Sequence, residues 1–309
     1  MKKLALSLIV LGIVLILAGT LIPVVAPSTT SGASTTTWPL EITDDLGRTV
    51  TIVETPERIV SLAPSITEIL FALDLGDKVV GVTDRCDYPA EALDKPKVGG
   101  YFSTSLEAII AQNPDIIFSD GHDPVGAQLE GLGVSMVVLQ PKDIASISRD
   151  IELVGQITGK EVAARELVAE MESRIDAVTA RTAGMGRPTV FYVIDASDPS
   201  KPWTVGPGSF IDTLITLAGG ENMVNVSKPY LQISLEEIVA SDPEMIIGPT
   251  SHGTSFLPDF GNLPVWKEMS AVKEGGIYLI EDDLVSRSGP RIVEGLEEMA
   301  RIIHPELFP

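Results

Sequence analysis

The residues best suited to chemistry in this sequence are aromatic and charged side chains on predicted loops. These loops follow predicted strands, and they carry Asp87, Tyr88, Tyr101, Trp203, Tyr230, Asp283 and Arg287. Aromatic residues make up only 5% of the chain, so their position on loops rather than in strands favours a binding site. The alternative is that they are hydrophobic plugs at the edges of a fold.

No motif for catalysis or metal binding accompanies these residues. The sequence has no G-x-x-x-x-G-K-[ST] phosphate loop, no G-x-S-x-G elbow and no H-E-x-x-H helix. Its scattered histidines lack metal-ligand spacing, and one cysteine cannot form an internal disulfide. We therefore expect no catalytic residue, no metal site and no enzymatic activity. One enzymatic alternative is an anchored two-lobe enzyme that uses Asp87 and Asp283 as an acid–base pair.

The composition describes a folded, acidic protein. The 309 residues are 44% hydrophobic and 21% charged, which is enough to bury one large core or two smaller ones. The formal net charge is −21. Because so negative a surface repels phosphate backbones, nucleic acid is not expected as a partner.

The N-terminus has the layout of an export signal. Lys2 and Lys3 precede an apolar run that reaches Val25 and is also long enough to span a bilayer. Residues 1–26 are therefore predicted to be either a signal peptide or an N-terminal membrane anchor. Residues 27–40, rich in Ser and Thr, are predicted to be a flexible tether. The acidic body is expected outside the membrane, in the periplasm or at the cell surface.

An internal repeat organises the rest of the chain. Residues 105–119 read SLEAIIAQNPDIIFS, and residues 234–248 read SLEEIVASDPEMIIG. A weaker pair of similar segments starts at Ser65 and Ser209. Two blocks in the same order predict two lobes of similar build, whereas a chance similarity of amphipathic helices is the alternative.

Strand-like and helix-like segments alternate in each half, which predicts α/β lobes with parallel sheets. The predicted strands are residues 58–62, 79–82, 115–118 and 135–139, then 189–194, 245–247 and 276–280. Helical spacing over about residues 160–183 predicts a long bridging helix. The predicted parts are an N-terminal lobe at residues 41–142, a helical bridge at 143–187 and a C-terminal lobe at 188–309, with the ligand cleft between the lobes.

Three motifs resemble those of a known family. They are RIVSLAPSITEILFALDLGDKVVGVTDRCDYP at residues 58–89, VGGYFSTSLEAIIAQNPDII at residues 98–117 and SGPRI at residues 288–292. Over residues 41–309 the chain resembles the extracytoplasmic solute-binding proteins of ABC importers for cobalamin and iron–siderophore complexes, the helix-bridged class III. The first motif, with its D-Y-P end, is most similar to the cobalamin branch. The resemblance implies two lobes joined by one long helix.

The resemblance also implies ligand contacts. Tyr88 of the D-Y-P motif would contact the corrin ring, and Tyr101 takes the place of a tryptophan of the cobalamin receptors. The remaining contacts implied would be Trp203, Tyr230, Asp283 and Arg287 in the second lobe. Asp87 is a candidate ligand residue from its position on the loop after residues 79–82. Aromatic side chains would cover the faces of a large, mostly uncharged macrocycle, while a few polar groups fix its amide arms.

The repeated S-L-E segment implies a second role. In the family one glutamate of each lobe, here Glu107 and Glu236, would bridge to arginines of the two permease subunits. Both carboxylates are also placed to stabilise helix N-termini, a role compatible with docking.

The expected function is capture of cobalamin outside the membrane and its delivery to an ABC permease dimer with cytoplasmic ATPases. Cobalamin would be the transported ligand, and no cofactor is expected. The alternative within the family is an iron(III)–siderophore or haem receptor. Siderophores are often anionic, and Arg85, Arg287 and Arg291 could supply the cations that they need.

Overall fold

The computed structural model describes residues 36–251, 254–255 and 257–308. The predicted signal or anchor, residues 1–26, lies outside these ranges, and so do residues 27–35 of the predicted tether. No helix of the described ranges is both long enough and apolar enough to cross a membrane.

The first half of the chain forms a sheet flanked by helices and two short hairpins. Its elements are β1 (Leu40–Thr43), β2 (Thr49–Ile52), β3 (Ile59–Ser61), α1 (Pro64–Ala72), β4 (Val79–Val82), β5 (Gly99–Gly100), β6 (Ser103–Thr104), α2 (Leu106–Ala111), β7 (Ile116–Ser119), α3 (Gly126–Gly131) and β8 (Ser135–Val138). Four strands pair in parallel in the order β4-β3-β7-β8. The four apolar runs predicted as strands form this sheet, because β-branched side chains suit a sheet buried on both faces.

Two helices follow, α4 (Ile144–Thr158) and α5 (Glu161–Thr182). Asp143 and Ser146 form a capping box at the start of α4. Gly159 ends α4 with a φ of 72°, a left-handed conformation that glycine adopts without a steric penalty. The 22 residues of α5 span about 33 Å at ~1.5 Å per residue. The long helix predicted near residues 160–183 is thus confirmed.

The second half forms a seven-stranded mixed sheet. Its elements are β9 (Thr189–Asp195), β10 (Trp203–Val205), α6 (Phe210–Leu217), β11 (Glu221–Asn222), β12 (Tyr230–Gln232), α7 (Leu235–Ser241), β13 (Met245–Ser251), β14 (Thr254–Ser255), α8 (Ser270–Lys273), β15 (Ile277–Glu281), α9 (Asp282–Ser286) and α10 (Ile292–Ile303). Strands β11, β9, β13 and β15 pair in parallel.

The antiparallel strands of this sheet differ from the predicted parallel arrangement. Strand β10 pairs antiparallel with β9 and β12, and β14 pairs antiparallel with β13. The connection from β9 to β10, residues 196–202, contains no helix. A parallel crossover needs a dozen or more residues, so this short loop returns the chain as an antiparallel neighbour.

The repeated segment builds the same local structure in both halves. The Ser105 hydroxyl accepts a hydrogen bond from the backbone N–H of Ala108, and the Ser234 hydroxyl accepts one from Glu237. Each capped helix, α2 or α7, leads into a strand of its sheet, β7 or β13. In both halves the first serine of the repeated segment therefore caps its helix.

A continuous apolar core extends through both halves and the two bridging helices. It includes Ile69 of α1, Ile151 of α4, Met171 of α5 and Leu296 of α10. Helix α5 packs against α4, α6 and α10. Two smaller clusters pack on the other faces of the two sheets. The lobes are therefore held together by buried apolar contacts as well as by the covalent bridge.

Residues at the end of the predicted tether belong to the folded body. The Thr36 hydroxyl donates to Glu161 Oε1 at 2.6 Å, and Trp38 packs against the continuous core. Strand β1 begins at Leu40. The folded body therefore starts before residue 41, because the side chain of Trp38, ahead of β1, packs on the apolar core.

A buried carboxylate in α4 predicts a pH dependence of stability. Asp150 is 3% exposed, and burial, together with the charge of Asp45, raises its pKa from 3.8 to about 7. Because the pKa of Asp150 is higher in the folded state than in the unfolded state, the folded state binds the proton more tightly. The resulting stabilisation is full below about pH 4 and is lost as the pH rises through 7. We expect Asp150→Asn to remove this loss, about 2 kcal/mol of unfolding free energy between roughly pH 5 and 8. Urea unfolding of both proteins at pH 5 and at pH 8 tests this expectation, and Asp176→Asn, at an exposed position, is the control. If the stability of Asp150→Asn depended on pH as much as that of the wild type, the expectation would be contradicted.

Candidate ligand cleft

A cleft opens where the carboxyl ends of the first parallel sheet face the second half of the chain. The first turn of α1 contributes Ser65, the segments after β4, β7 and β8 contribute Asp87, Asp120 and Gln140, and Arg287 lies opposite them, after α9. This cavity, called the cleft below, measures about 440 Å³. Ligands commonly bind at the carboxyl edge of a parallel sheet and between domains, so its position is that of a small-molecule site.

Arg287 is the centre of an ion-pair cluster on the wall of the cleft. Its Nη1 lies 2.8 Å from Asp87 Oδ1 and 3.1 Å from Glu68 Oε1, and its Nη2 lies 2.8 Å from Asp283 Oδ2. Arg291 donates from Nε to Glu68 Oε2 at 3.0 Å and from Nη2 to Glu68 Oε1 at 2.7 Å. Because Glu68 lies on α1 and both arginines lie between α9 and α10, the cluster joins the two halves of the chain.

The cluster pairs both of its arginines with carboxylates. Burial works against the charged form of Arg287, but the hydrogen bonds to Asp87 and Glu68 and the charges of Asp283 and Asp87 outweigh it and hold its pKa above the ordinary value. Burial likewise opposes the charge of Arg291, and Glu68 raises the pKa of Arg291 in the same way. Both guanidiniums are therefore already paired with carboxylates before any ligand arrives.

The ion pairs of Arg287 also test the alternative that Asp87 and Asp283 act as a catalytic acid–base pair. Asp87 and Asp283 do lie in one cleft, as that hypothesis required. Each carboxylate, however, is ion-paired with the one guanidinium of Arg287. A general acid and a general base need environments that separate their proton affinities. Because both carboxylates contact the same guanidinium, the structure gives them similar environments rather than the separated ones that this division of roles needs.

Tyr101 is held in the cleft by its own hydrogen bonds. Its hydroxyl donates to Asp120 Oδ2, and its backbone N–H donates to Asp84 Oδ1 at 3.0 Å. The ring lies edge-on to Phe102 with centroids 4.5 Å apart, and 6.2 Å from the ring of His122. Burial, with the hydrogen bond and charge of Asp120, raises the pKa of Tyr101. The side chain is thus a fixed, protonated aromatic wall.

Tyr88 lies beside the cleft rather than among the residues that line it. The guanidinium of Arg291 stacks 3.8 Å from the centroid of its ring. The ring is 44% exposed and faces a separate cavity of about 500 Å³ between α1, α5 and the start of α10. The structure therefore separates Asp87, which lines the cleft, from its neighbour in the D-Y-P motif.

A third cavity lies in the second half, next to the cleft. It measures about 270 Å³, and Tyr230 and Tyr192 are among its lining residues. Ser286 lines both this cavity, called the C-terminal pocket below, and the cleft. Tyr230 therefore lies at a site adjoining the cleft. Trp203, at the start of β10, is 44% exposed and lines none of the three cavities described here.

Glu107 and Glu236 lie in the first turns of α2 and α7, one in each half, and both are exposed. The Ser105 hydroxyl donates to Glu107 Oε2 at 3.1 Å. In the second half it is Glu237, not Glu236, that completes the capping box with Ser234. Helix capping therefore does not account for the presence of Glu236.

Sequence reasoning missed Glu68, Phe102 and Asp120. Glu68 lies in the apolar run of α1 among buried neighbours. Because a charged side chain is seldom buried unless it is paired, its position in this run is a sequence signal for a buried ion pair. Asp120 directly follows β7, and a charged residue on a loop after a strand is the signal that selected the other candidates, so the same signal could have found it. Phe102 adjoins Tyr101, and nothing in its spacing distinguishes it from a surface aromatic.

Comparison with known proteins identifies the family. Residues 59–284 match the model of a family described as periplasmic binding protein. An uncharacterized ABC transporter substrate-binding lipoprotein of Bacillus subtilis is 32% identical over 282 residues, which cover 89% of this chain and 88% of that protein. A vitamin B12-binding protein of Vibrio parahaemolyticus is 29% identical over 252 residues, covering 80% of this chain and 89% of the relative.

Solved structures agree with this assignment. The periplasmic vitamin B12-binding protein of Vibrio cholerae superposes with a TM-score of 0.67 at 26% identity, covering 81% of this chain and 97% of that one. A periplasmic heme-binding protein of Roseiflexus sp. RS-1 superposes with a TM-score of 0.71 at 25% identity, covering 81% and 100%. With its two α/β halves, bridging helices and cleft, the chain belongs to the periplasmic binding protein family and is an extracytoplasmic substrate-binding protein of ABC transport.

Proposed function

We propose that this protein captures a corrinoid of the cobalamin class in its cleft and delivers it to an ABC permease dimer driven by cytoplasmic ATPases. The vitamin B12-binding relatives of Vibrio support this substrate. Residues 41–142 and 188–309 are the two lobes of the proposal, and residues 143–187 are its bridge. Residues 1–26 direct the chain across the membrane or anchor it there.

The observation that carries the choice of ligand is the paired charge of the cleft. Of the three arginines named from the sequence, Arg287 lines the cleft and Arg291 lines the neighbouring cavity, and both already pair with Glu68. Arg85 is the third, and it lines a cleft that also contains Asp87, Asp120 and Asp283. An anionic siderophore would have to compete with Glu68, Asp87 and Asp283 for Arg287 and Arg291, and it would also meet the negative charge of Asp120 in the same cleft. A mostly uncharged macrocycle does not have to break any ion pair.

One observation favours haem as a second candidate. Tyr101 and His122 line the same cleft, and both residue types serve as axial ligands of haem iron. The Tyr101 hydroxyl already donates to Asp120, so coordination by Tyr101 would have to replace that hydrogen bond. The His122 side chain is 56% exposed and lies 3.4 Å from Asp120 through Nδ1. Haem is therefore the comparison ligand of choice.

An absorbance titration of the exported, purified protein with cyanocobalamin tests the proposal. We expect saturable binding of one corrinoid per chain, and we expect Tyr101→Ala to weaken it about tenfold through loss of aromatic contact area. Tyr278→Ala, on β15 and outside the three cavities, is the matched control. Absence of saturable corrinoid binding would overturn the proposal, and equal weakening by both variants would remove Tyr101 from the site.

A further inference from the structure

The C-terminal pocket contains a buried polar group without a partner. Tyr192 is 1% exposed, lines the pocket, and its hydroxyl has no hydrogen-bond partner among the described residues. The hydroxyl oxygens of buried tyrosines are normally satisfied, because an unpaired buried donor carries a desolvation penalty. Since this hydroxyl belongs to a residue that lines the C-terminal pocket, a polar group of a bound ligand can satisfy it.

Asp282 supplies a second polar group to the same pocket. Its carboxylate lines the pocket together with Ser286, whose hydroxyl donates to Asp282 Oδ2 at 3.3 Å. No lysine or arginine of the described chain lies within ion-pair distance of Asp282, whereas neighbouring Asp283 pairs with Arg287. Tyr192 and Asp282 line the same pocket. Burial, followed by the charge of Asp282, raises the pKa of Tyr192, so its hydroxyl stays protonated and able to donate.

The rest of the pocket is apolar. Its walls include Ile194, Phe210, Ile211 and Val285, and the half-exposed ring of Tyr230 also lines it. A ligand group that fits must therefore accept one hydrogen bond from Tyr192, donate one to Asp282 and carry no negative charge. A primary carboxamide has this combination, since its carbonyl accepts and its NH2 donates. A carboxylate would be repelled by Asp282, and an ammonium group offers no acceptor to the tyrosine hydroxyl.

We propose that the C-terminal pocket receives a carboxamide arm of the ligand and selects carboxamide-bearing ligands over carboxylate-bearing ones. This proposal rests on the proposed function, because the arm belongs to the corrinoid bound in the adjoining cleft. The volume of about 270 Å³ suits an arm rather than the whole macrocycle. Ser286, which lines both cavities, marks their junction.

The test compares cyanocobalamin with its monocarboxylate derivatives, in each of which one carboxamide is hydrolysed. We expect the exported wild-type protein to bind at least one of these acids tenfold or more weakly than cyanocobalamin. Asp282→Asn should reduce this discrimination to about twofold, because the repelling charge is removed while the side-chain shape is kept. Tyr192→Phe should weaken cyanocobalamin binding about five- to tenfold through loss of one buried hydrogen bond.

A second readout separates ligand binding from a structural role. Because the Tyr192 hydroxyl has no partner to lose in the free protein, Tyr192→Phe is expected to unfold at the same temperature as the wild type or higher. Tyr278→Phe is the matched control and should change neither quantity. If the wild type binds cyanocobalamin but Tyr192→Phe and Asp282→Asn behave like the control, or if all acids bind equally well, the carboxamide pocket is overturned alone. If the wild type binds no corrinoid, the proposed function fails together with it.

Discussion

Replacing Glu68 with glutamine is expected to lower the free energy of unfolding by about 3 kcal/mol or more. The Glu68 side chain is 1% exposed and accepts hydrogen bonds from both Arg287 and Arg291. Glutamine keeps the shape but removes the charge, so Arg291 loses its bidentate carboxylate and stays partly buried. Breaking a buried pair by removing one partner is strongly destabilising, because it leaves an uncompensated charge. Urea unfolding of the purified protein measures the effect.

The matched control is Glu57→Gln. Glu57 pairs with Lys78 at 2.9 Å, but its side chain is 71% exposed. An exposed pair contributes at most about 1 kcal/mol, so this variant should unfold close to the wild type. A Glu68→Gln protein as stable as the Glu57→Gln protein would show that the cluster does not hold the halves together.

Reversing the charge of Glu107 and Glu236 together is expected to reduce ligand uptake by at least an order of magnitude. The two carboxylates lie at equivalent positions of the repeated helix in the two halves, and both are exposed. Two equivalent acidic groups suit docking onto a permease dimer with matching cations, so Glu107→Arg with Glu236→Arg replaces attraction by repulsion. Uptake of labelled cyanocobalamin by cells that contain the cognate permease measures this, alongside ligand affinity of the purified variants.

The ligand affinity of this double variant should equal that of the wild type, since neither glutamate lines the described cavities. Glu166→Arg with Glu172→Arg, at two exposed sites on α5, changes the net charge by the same amount and is the control. Normal uptake by the variant of Glu107 and Glu236 would contradict the docking role. An equal loss of uptake in the control would attribute the effect to overall charge.

Local patterns were enough to predict the parallel strands and the bridge. The β-branched runs at residues 79–82 and 135–139 became β4 and β8, because strands buried on both faces are continuously apolar. Helical spacing over about residues 160–183 predicted α5, which the structure places at Glu161–Thr182. The fold class was therefore available from spacing alone.

Contacts between residues far apart in the chain could not be predicted from local sequence patterns. The ring of Tyr88 is positioned by Arg291, and Glu68 by two arginines of the other half, so no local spacing reveals either contact. The antiparallel pairing of β10 follows from the short connection between β9 and β10, which contains no helix. Because β10 was not among the predicted strands, the length of this connection could not be read from the sequence. Tyr192 was predicted as part of a strand, and its unpaired hydroxyl emerges only from three-dimensional packing.

The identity of the ligand is the central claim, and equilibrium dialysis against an equimolar mixture of cyanocobalamin, haem and a ferric hydroxamate tests it most directly. The bound fraction is identified by its absorbance spectrum and by mass spectrometry. We predict that cyanocobalamin occupies the exported protein at one molecule per chain, and that neither competitor displaces it at equal concentration. Occupancy by haem or by the ferric chelate, with cyanocobalamin left in free solution, would contradict the account.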